Sequence, residues 1–191
     1  MKLGIVIFVV LIIGIIGFFS FSGDKQTNTN TDQNTNKISG NINIIDWKEY
    51  ELTDINTGKT FKISDFKGTP ILLESFAVWC PTCTKQQNIV KKLHEEPGFS
   101  EEELISISID TDPSEDEQRI RDHIESNGFT WYYAISPIEL TQSLINEFGN
   151  SIISAPSVPM ILICEDGSFR KLGGFGSRSV DKLKSEIAKG C

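Results

Sequence analysis

Two cysteines near the middle of the chain, Cys80 and Cys83, are separated only by Pro81 and Thr82. On a helix, this Cys-x-x-Cys spacing places both sulfur atoms on the first turn, close enough to form a small disulfide ring. The free N–H groups and partial positive charge of a helix N-terminus stabilise a thiolate there. We therefore expect Cys80 to be an exposed nucleophile that attacks a partner disulfide. Cys83, one turn deeper, is expected to resolve the mixed disulfide that results.

The same motif is half of a structural zinc site, which also needs a second pair of cysteines or histidines at a similar spacing. The chain offers no such pair, because Cys164, Cys191, His94 and His123 are each isolated in the sequence. We predict no metal site and expect both histidines on helix surfaces. Two alternatives stay open for Cys164 and Cys191, a structural disulfide in an oxidising compartment or two free thiols.

Strand and helix patterns alternate around the motif. A buried strand from Ile71 to Phe76 precedes it, and a helix from Thr82 to Leu93 with one apolar face follows it. Further strands are predicted at Tyr50 to Thr53, Thr60 to Ile63, Leu104 to Ile109, Trp131 to Ile135, Met160 to Cys164 and Phe169 to Leu172, and further helices at Glu115 to Ser126, Ile138 to Phe148 and Val180 to Ala188. This alternation predicts an α/β domain built around one sheet.

The first 41 residues differ in composition from the rest. Leu3 to Phe21 is a run of 19 residues without a charge, which is long enough to span a bilayer core. We expect a transmembrane anchor at residues 1–22, or alternatively a cleaved signal peptide, since Ser20 to Ser22 fits a cleavage site. Residues 23–41 are polar and are expected to form a disordered linker. Residues 42–191 are expected to form the folded domain, which either N-terminal segment would export.

Three segments resemble motifs of a known family. The segment FAVWCPTC at residues 76–83 resembles the thioredoxin active-site signature, and SVPMILI at residues 157–163 resembles the cis-proline loop with its following strand. The segment DFKGTPILL at residues 65–73 is similar to the lead-in of the TlpA/ResA-like branch, which is related to the AhpC/TSA redoxins. The resemblance covers about residues 42–191.

This resemblance implies a thioredoxin-like fold, in which a central mixed β-sheet is flanked by helices. The TlpA/ResA-like branch adds an N-terminal β-hairpin, which residues 42–63 fit. It also adds an insert after the second core strand, which residues 112–135 fit.

The resemblance also implies roles for individual residues. Val158–Pro159 would be a cis peptide beside the disulfide, leaving backbone groups of Val158 free to pair with an extended substrate. Glu74 would take the proton from Cys83 during resolution, with burial raising its pKa toward the working range. On the next strand, where thioredoxins often place a lysine, this chain has serines. The substrate-binding residues implied are Trp79, Pro81, Thr82, Val158 and Pro159.

The function implied is that of a thiol–disulfide oxidoreductase acting on protein disulfides or dithiols. Its only redox group would be the Cys80–Cys83 disulfide, with no further cofactor. The expected location is the cell membrane, with a single span and a monomeric catalytic domain outside the cytoplasm. TlpA/ResA-like proteins mostly act as reductases recharged by a membrane thiol transporter, so a reductase is expected. Pro81 and Val158 resemble instead the oxidant DsbA, so an oxidant or isomerase stays open.

Three other classes of function fit less well. The net charge of −8 argues against a nucleic-acid partner, because phosphate binding requires clustered Lys and Arg. A peroxiredoxin-type peroxidase would carry Thr three residues before the reactive cysteine, where this chain has Ala77. A copper carrier of the thioredoxin fold would need Cys-x-x-x-Cys and a late histidine, whereas no histidine follows His123.

Overall fold

The structure, a computed structural model, describes residues 45–191. The predicted anchor at residues 1–22 and the predicted linker at residues 23–41 therefore lie outside the described residues. Within residues 45–191, no helix has the length and apolar character needed to cross a membrane.

A five-stranded mixed sheet forms the centre of the domain. Its strands are β3 (Ile71–Phe76), β4 (Ile105–Asp110), β5 (Tyr132–Ile135), β6 (Met160–Ile163) and β7 (Phe169–Lys171), and they lie in the order β5-β4-β3-β6-β7. β3, β4 and β5 are parallel, and β6 is antiparallel to both β3 and β7. The carboxyl ends of the three parallel strands therefore lie at the same end of the sheet as the start of β6.

Helices cover both faces of this sheet. They are α1 (Pro81–His94), α2 (Glu117–Asn127), α3 (Ile138–Phe148) and α4 (Val180–Lys189). α1, α2 and α4 contribute to one hydrophobic core and α3 to the other. Each element predicted from the sequence is present, with its ends shifted by two residues or fewer. The predicted thioredoxin-like layering is confirmed.

The alternation of side chains along β3 decides what faces the active site. Leu72 and Phe76 belong to the core under α1, whereas Ile71 and Leu73 belong to the core under α3. Because successive strand residues point to opposite faces, Glu74 lies on the α1 side of the sheet.

The N-terminal hairpin closes one edge of the sheet. It consists of β1 (Leu52–Thr53) and β2 (Thr60–Phe61), which pair antiparallel. The N–H of Ile55 donates to the carbonyl of Tyr133 at 2.8 Å, and the Asp54 carboxylate accepts the N–H of Tyr133. These bonds cover the exposed edge of β5, which would otherwise offer free backbone groups to another chain.

Cys164 and Cys191 are joined by a disulfide, with their Cα atoms 6.0 Å apart. This bond ties the chain just after α4 to the residue that follows β6. It lies at the end of the sheet away from the carboxyl ends of β3, β4 and β5. Of the two alternatives left open by the sequence, the structure has the paired one.

The two histidines are not surface residues, so that prediction was wrong. His123 is buried, and its Nε2 lies 2.7 Å from the Oε1 of Gln87. His94 is half-buried between the Phe99 carbonyl and the Ser106 hydroxyl. Both helices carry their histidine on the inner face, where a backbone carbonyl and a serine bind the ring of His94 and a glutamine binds the ring of His123.

Candidate active site

The Cys-x-x-Cys motif lies where β3 ends and α1 begins. Cys80 is the N-cap of α1, and its Sγ accepts the N–H of Cys83 at 3.2 Å. Pro81 is the first helical residue, a position that suits its fixed φ and its missing N–H. A short apolar strand, a capping thiol and a proline therefore place both sulfur atoms on the first turn, as the spacing predicts.

Both thiols are buried and are not joined to each other. Cys80 is only 1% exposed and Cys83 is fully enclosed. The prediction of an exposed Cys80 is wrong for this structure. The Cys80 sulfur turns inward to cap α1, and Trp79 and Val78 are held in place by side chains from the insert. Attack on a bulky protein disulfide therefore requires movement of the segment that precedes Cys80.

Cys83 is the more deeply enclosed of the two thiols. Its S–H donates to the carbonyl of Ala155 at 3.1 Å. Burial, with help from the hydrogen bond to Cys80 and the charge of Glu74, raises the pKa of the Cys83 thiol far above its usual value. Cys83 therefore needs a nearby proton acceptor before it can act as a nucleophile.

Glu74 is a carboxyl of the required kind. It is buried on the same side of the sheet as the two cysteines, and Ser108 donates a hydrogen bond to its Oε1 at 2.7 Å. Burial raises the pKa of Glu74 to about 7, against opposing effects of Ser108, Gln87 and Arg178. The expected burial and raised pKa are present, and transfer of the Cys83 proton to Glu74 remains a prediction.

The loop before β6 differs from its prediction. The peptide between Val158 and Pro159 is trans, so the expected cis bond is wrong. Val158 ends the 3-10 turn Ala155–Ser157 in the left-handed region, at φ 51°, and this reversal leads the chain into β6. Its N–H donates to Ala155, and its carbonyl accepts Arg178 Nη1 at 2.9 Å. Val158 is buried, so in this structure its backbone is not free for a substrate strand.

The other predicted substrate-binding residues differ in exposure. Trp79 is 51% exposed, Pro81 is exposed and Thr82 is half-buried. All three lie at the surface beside the dithiol, where a substrate can touch them. Pro159 is buried, so its contribution is to shape the loop.

Three acidic residues at the end of β4 and just after it were missed by the sequence analysis. The Glu115 carboxylate accepts the N–H groups of Val78 and Trp79 at 2.6 and 3.3 Å. The Asp112 carboxylate accepts the indole N–H of Trp79 at 2.5 Å. Asp110 is buried next to them, and burial and the charge of Glu115 raise its pKa to about 7. The run DTDPSE at 110–115 was a signal for such a cluster, although its bonded partners are 33 or more residues away in sequence.

Arg178 and Gln86 were also missed. The guanidinium of buried Arg178 donates to the carbonyls of Val158, Leu172 and Gly173. Its backbone N–H donates to the Oε1 of Gln86 on α1 at 2.6 Å. Arg178 therefore holds the loop before β6 and the end of β7 against α1. A signal for Gln86 existed, since a glutamine on the inner face of an amphipathic helix needs a buried partner.

Comparisons with known proteins agree on family and fold. The Redoxin family model matches residues 27–177. Among curated proteins, the thiol:disulfide interchange protein DsbE of Vibrio cholerae serotype O1 is 41% identical over 46 residues, which is 24% of this chain and 25% of that protein. The match thus spans about a quarter of that relative's length.

Two solved structures show the same architecture. A secreted Mycobacterium tuberculosis disulfide oxidoreductase homologous to E. coli DsbE superposes with a TM-score of 0.55 at 14% identity, over 75% of this chain and 97% of that one. The thioredoxin domain of a Bacteroides vulgatus thiol-disulfide oxidoreductase gives 0.56 at 17% identity, over 73% and 91%. At these identities the structures establish the thioredoxin-like fold.

Proposed function

This chain belongs to the Redoxin family, and we propose that it is a thiol–disulfide oxidoreductase that reduces protein disulfides through Cys80 and Cys83. The observation that carries the proposal is the placement of this pair on the first turn of α1, above a buried carboxyl with a pKa of about 7. The similarity to thiol:disulfide interchange proteins supports the same class of reaction.

The proposed reaction has two steps. The Cys80 thiolate attacks one sulfur of a substrate disulfide, and the other substrate sulfur leaves as a thiolate that takes up a proton. Cys83 then gives its proton to Glu74 and attacks the Cys80 sulfur. This step forms the Cys80–Cys83 disulfide and releases the second substrate thiol. Two electrons pass to the substrate, and an electron donor of the membrane thiol transporter class would restore the dithiol.

The charges beside the pair bear on the reducing direction. Trp79, next to Cys80, is bonded to the carboxylates of Asp112 and Glu115. A strong oxidant such as DsbA depends on a stabilised reduced form. The proposal of a reductase therefore requires that these two carboxylates, bonded to the residue before Cys80, make the reduced form less favourable.

We further propose that the domain works outside the cytoplasm, on a membrane tether. The uncharged run from Leu3 to Phe21 supports an anchor. The Cys164–Cys191 disulfide supports an oxidising compartment, since structural disulfides are rare in the cytosol.

The test is the reduction potential of the Cys80–Cys83 couple in the full chain, equilibrated in dithiothreitol buffers and read by thiol alkylation and mass spectrometry. A value near or below about −270 mV, that of thioredoxin, supports a reductase. A value near about −120 mV, that of DsbA, would overturn the direction and identify an oxidant or isomerase.

A second test concerns the roles of the two cysteines. We expect Cys83→Ser to accumulate mixed disulfides with substrate proteins through Cys80, because the resolving thiol is gone. If no adduct forms on Cys80, the assignment of nucleophile and resolver is wrong.

A further inference from the structure

Glu74 lies at the centre of a buried cluster of polar side chains from several elements. Its members are Ser108 on β4, Trp131 just before β5, Tyr133 on β5, Gln87 on α1 and His123 on α2. A buried carboxylate is unfavourable unless donors compensate for the loss of water. The directions of the hydrogen bonds in this cluster therefore decide whether Glu74 can ionise.

The first connection runs from Trp131 through Ser108 to Glu74. The indole Nε1 of Trp131 lies 2.9 Å from the Ser108 Oγ. An indole N–H can only donate, so the Ser108 oxygen accepts this bond. The single proton of the Ser108 hydroxyl is then free to point at the Glu74 Oε1, 2.7 Å away. Trp131 thus fixes Ser108 as a donor to the carboxyl.

The second connection runs from His123 through Gln87. The Nε2 of His123 lies 2.7 Å from the Gln87 Oε1, and a carbonyl oxygen can only accept. His123 must therefore carry its proton on Nε2, and it holds the Gln87 oxygen on its own side. The Gln87 amide nitrogen is left for the carboxyl, whose pKa the Gln87 side chain lowers.

The opposite orientation of the Gln87 amide would disfavour the ionised form of Glu74. If Gln87 turned its oxygen toward Glu74, two acceptors would face each other, and only a protonated carboxyl would fit. Within residues 45–191, the Nε2 of Gln87 and the Oε2 of Glu74 are both buried without a hydrogen-bond partner. One of these atoms is a donor, and the other is an acceptor once Glu74 has lost its proton, so each has unused hydrogen-bonding capacity.

We propose that His123 and Trp131 are positioning residues for Glu74, each using its ring N–H to aim a neutral donor, Gln87 or Ser108, at the carboxyl. This arrangement lets a buried carboxylate form although no cation among residues 45–191 is bonded to it. The inference rests on the proposed function, in which ionised Glu74 accepts the proton of Cys83.

Other charged or titratable groups also face Glu74. Burial is the main reason why the pKa values of Cys83 on α1 and Tyr133 on β5 are raised. The charge of Glu74 raises both pKa values further. Arg178, which precedes α4, lowers the pKa of Glu74 through its charge. Its guanidinium Nη atoms, however, are bonded to backbone carbonyls. These three groups remain in every variant proposed below.

The experiment compares His123→Leu and Trp131→Phe with Phe129→Leu in the reduced full chain. Phe129 packs against both rings, with centroids 4.9 Å from Trp131 and 5.6 Å from His123, but it has no hydrogen-bonding group. The readout is the Glu74 carboxyl titration, followed by carbon-13 NMR. We expect the midpoint to rise by about one pH unit in His123→Leu and by less in Trp131→Phe.

The controls separate hydrogen bonding from packing. Phe129→Leu should leave the Glu74 midpoint in place, and His123→Gln, which keeps a side-chain N–H donor, should restore most of the wild-type value. Unchanged midpoints in both His123→Leu and Trp131→Phe would overturn the proposal. So would an equal shift in Phe129→Leu. If one variant does not fold, the other still decides.

A second readout links the cluster to the reaction. The pH midpoint for resolution of a mixed disulfide by Cys83 should move with the Glu74 midpoint in each variant. If the wild-type chain exchanges no disulfides, the proposed function fails, whereas the NMR titration still tests the positioning of Glu74 by itself. A resolution midpoint that stays fixed while the Glu74 titration moves would refute the link to catalysis.

Discussion

The chain contains two cysteine pairs whose surroundings differ. Cys80 and Cys83 are three residues apart, unjoined and buried at the N-terminus of a helix. Cys164 and Cys191 are 27 residues apart and joined by a disulfide, which lies at the opposite end of the sheet. Sequence spacing makes the first pair a small ring that can open and close locally, whereas the second pair closes a long loop.

The carboxyl groups near the two cysteine pairs also differ in their pKa values. Beside the first pair, burial raises the pKa of Glu74 to about 7, so this group can exchange protons near neutral pH. Near the second pair, hydrogen bonds from Ser168 lower the pKa of exposed Asp166, which stays ionised. We infer that a cysteine pair becomes reactive through neighbouring groups that can take its protons. The Cys164–Cys191 pair is expected to stabilise the fold.

The largest expected effect separates the two pairs by activity. Cys80→Ser should reduce insulin-disulfide reduction to background, because the nucleophilic sulfur is lost. The matched control, Cys164→Ser with Cys191→Ser, should keep the wild-type rate. Full activity in Cys80→Ser, or its loss in the control while the protein remains folded, would contradict the division of roles.

The next effect concerns stability. Removing the Cys164–Cys191 disulfide, with both residues changed to Ala, should lower the free energy of unfolding, because a closed loop of 27 residues restricts the unfolded chain. The chain-entropy relation gives about 3.5 kcal/mol for this loop. Urea unfolding of the double variant and the wild type measures the difference. Equal stabilities would mean that the bond contributes nothing to the fold.

Glu74→Gln tests the acid beside the reactive pair. The rate of mixed-disulfide resolution should fall by about 10²-fold, a typical contribution of a general base. Its rise with pH near 7 should also disappear. Rapid-quench measurement across this pH range provides the check, and an unchanged profile would remove Glu74 from the mechanism.

The same variant should change how stability depends on pH. The pKa of Glu74 is raised from 4.5 when unfolded to about 7 when folded. The protonated carboxyl therefore stabilises the fold fully below pH 4.5, and this contribution is lost as pH rises through 7. A shift of this size corresponds to about 3 kcal/mol. Urea unfolding should show a smaller decline over this range for Glu74→Gln, and equal declines would argue against the raised pKa.

The smallest effect is expected at the rim of the reactive pair. Asp112→Asn should weaken the bond to the Trp79 indole and change KM for a protein substrate by about two- to threefold, as for an exposed charged contact. Asp166→Asn, beside the other pair, is the matched control and should change nothing. An effect of Asp166→Asn as large as that of Asp112→Asn would show that the rim contact is not specific.

Much of the fold was predictable because it depends on local patterns. The mostly apolar segment from Ile71 to Phe76 has the length of a buried strand, and Pro81 after a capping residue marks a helix start. The Cys-x-x-Cys spacing on that helix indicated the reactive pair. Glu74 stood out as the one charge in a buried strand, so its environment could also be anticipated.

Tertiary structure decided what depends on distant partners. The disulfide joins Cys164 to Cys191, and the carboxylates of Asp112 and Glu115 join the insert to Val78 and Trp79. The burial of Cys80 likewise depends on segments that are far apart in sequence. Hydrogen bonds and burial act through space at a few ångströms, and no local pattern encodes which loops meet. The sequence thus determined the elements and the reactive motif, whereas the packing of loops determined the protonation and access of that motif.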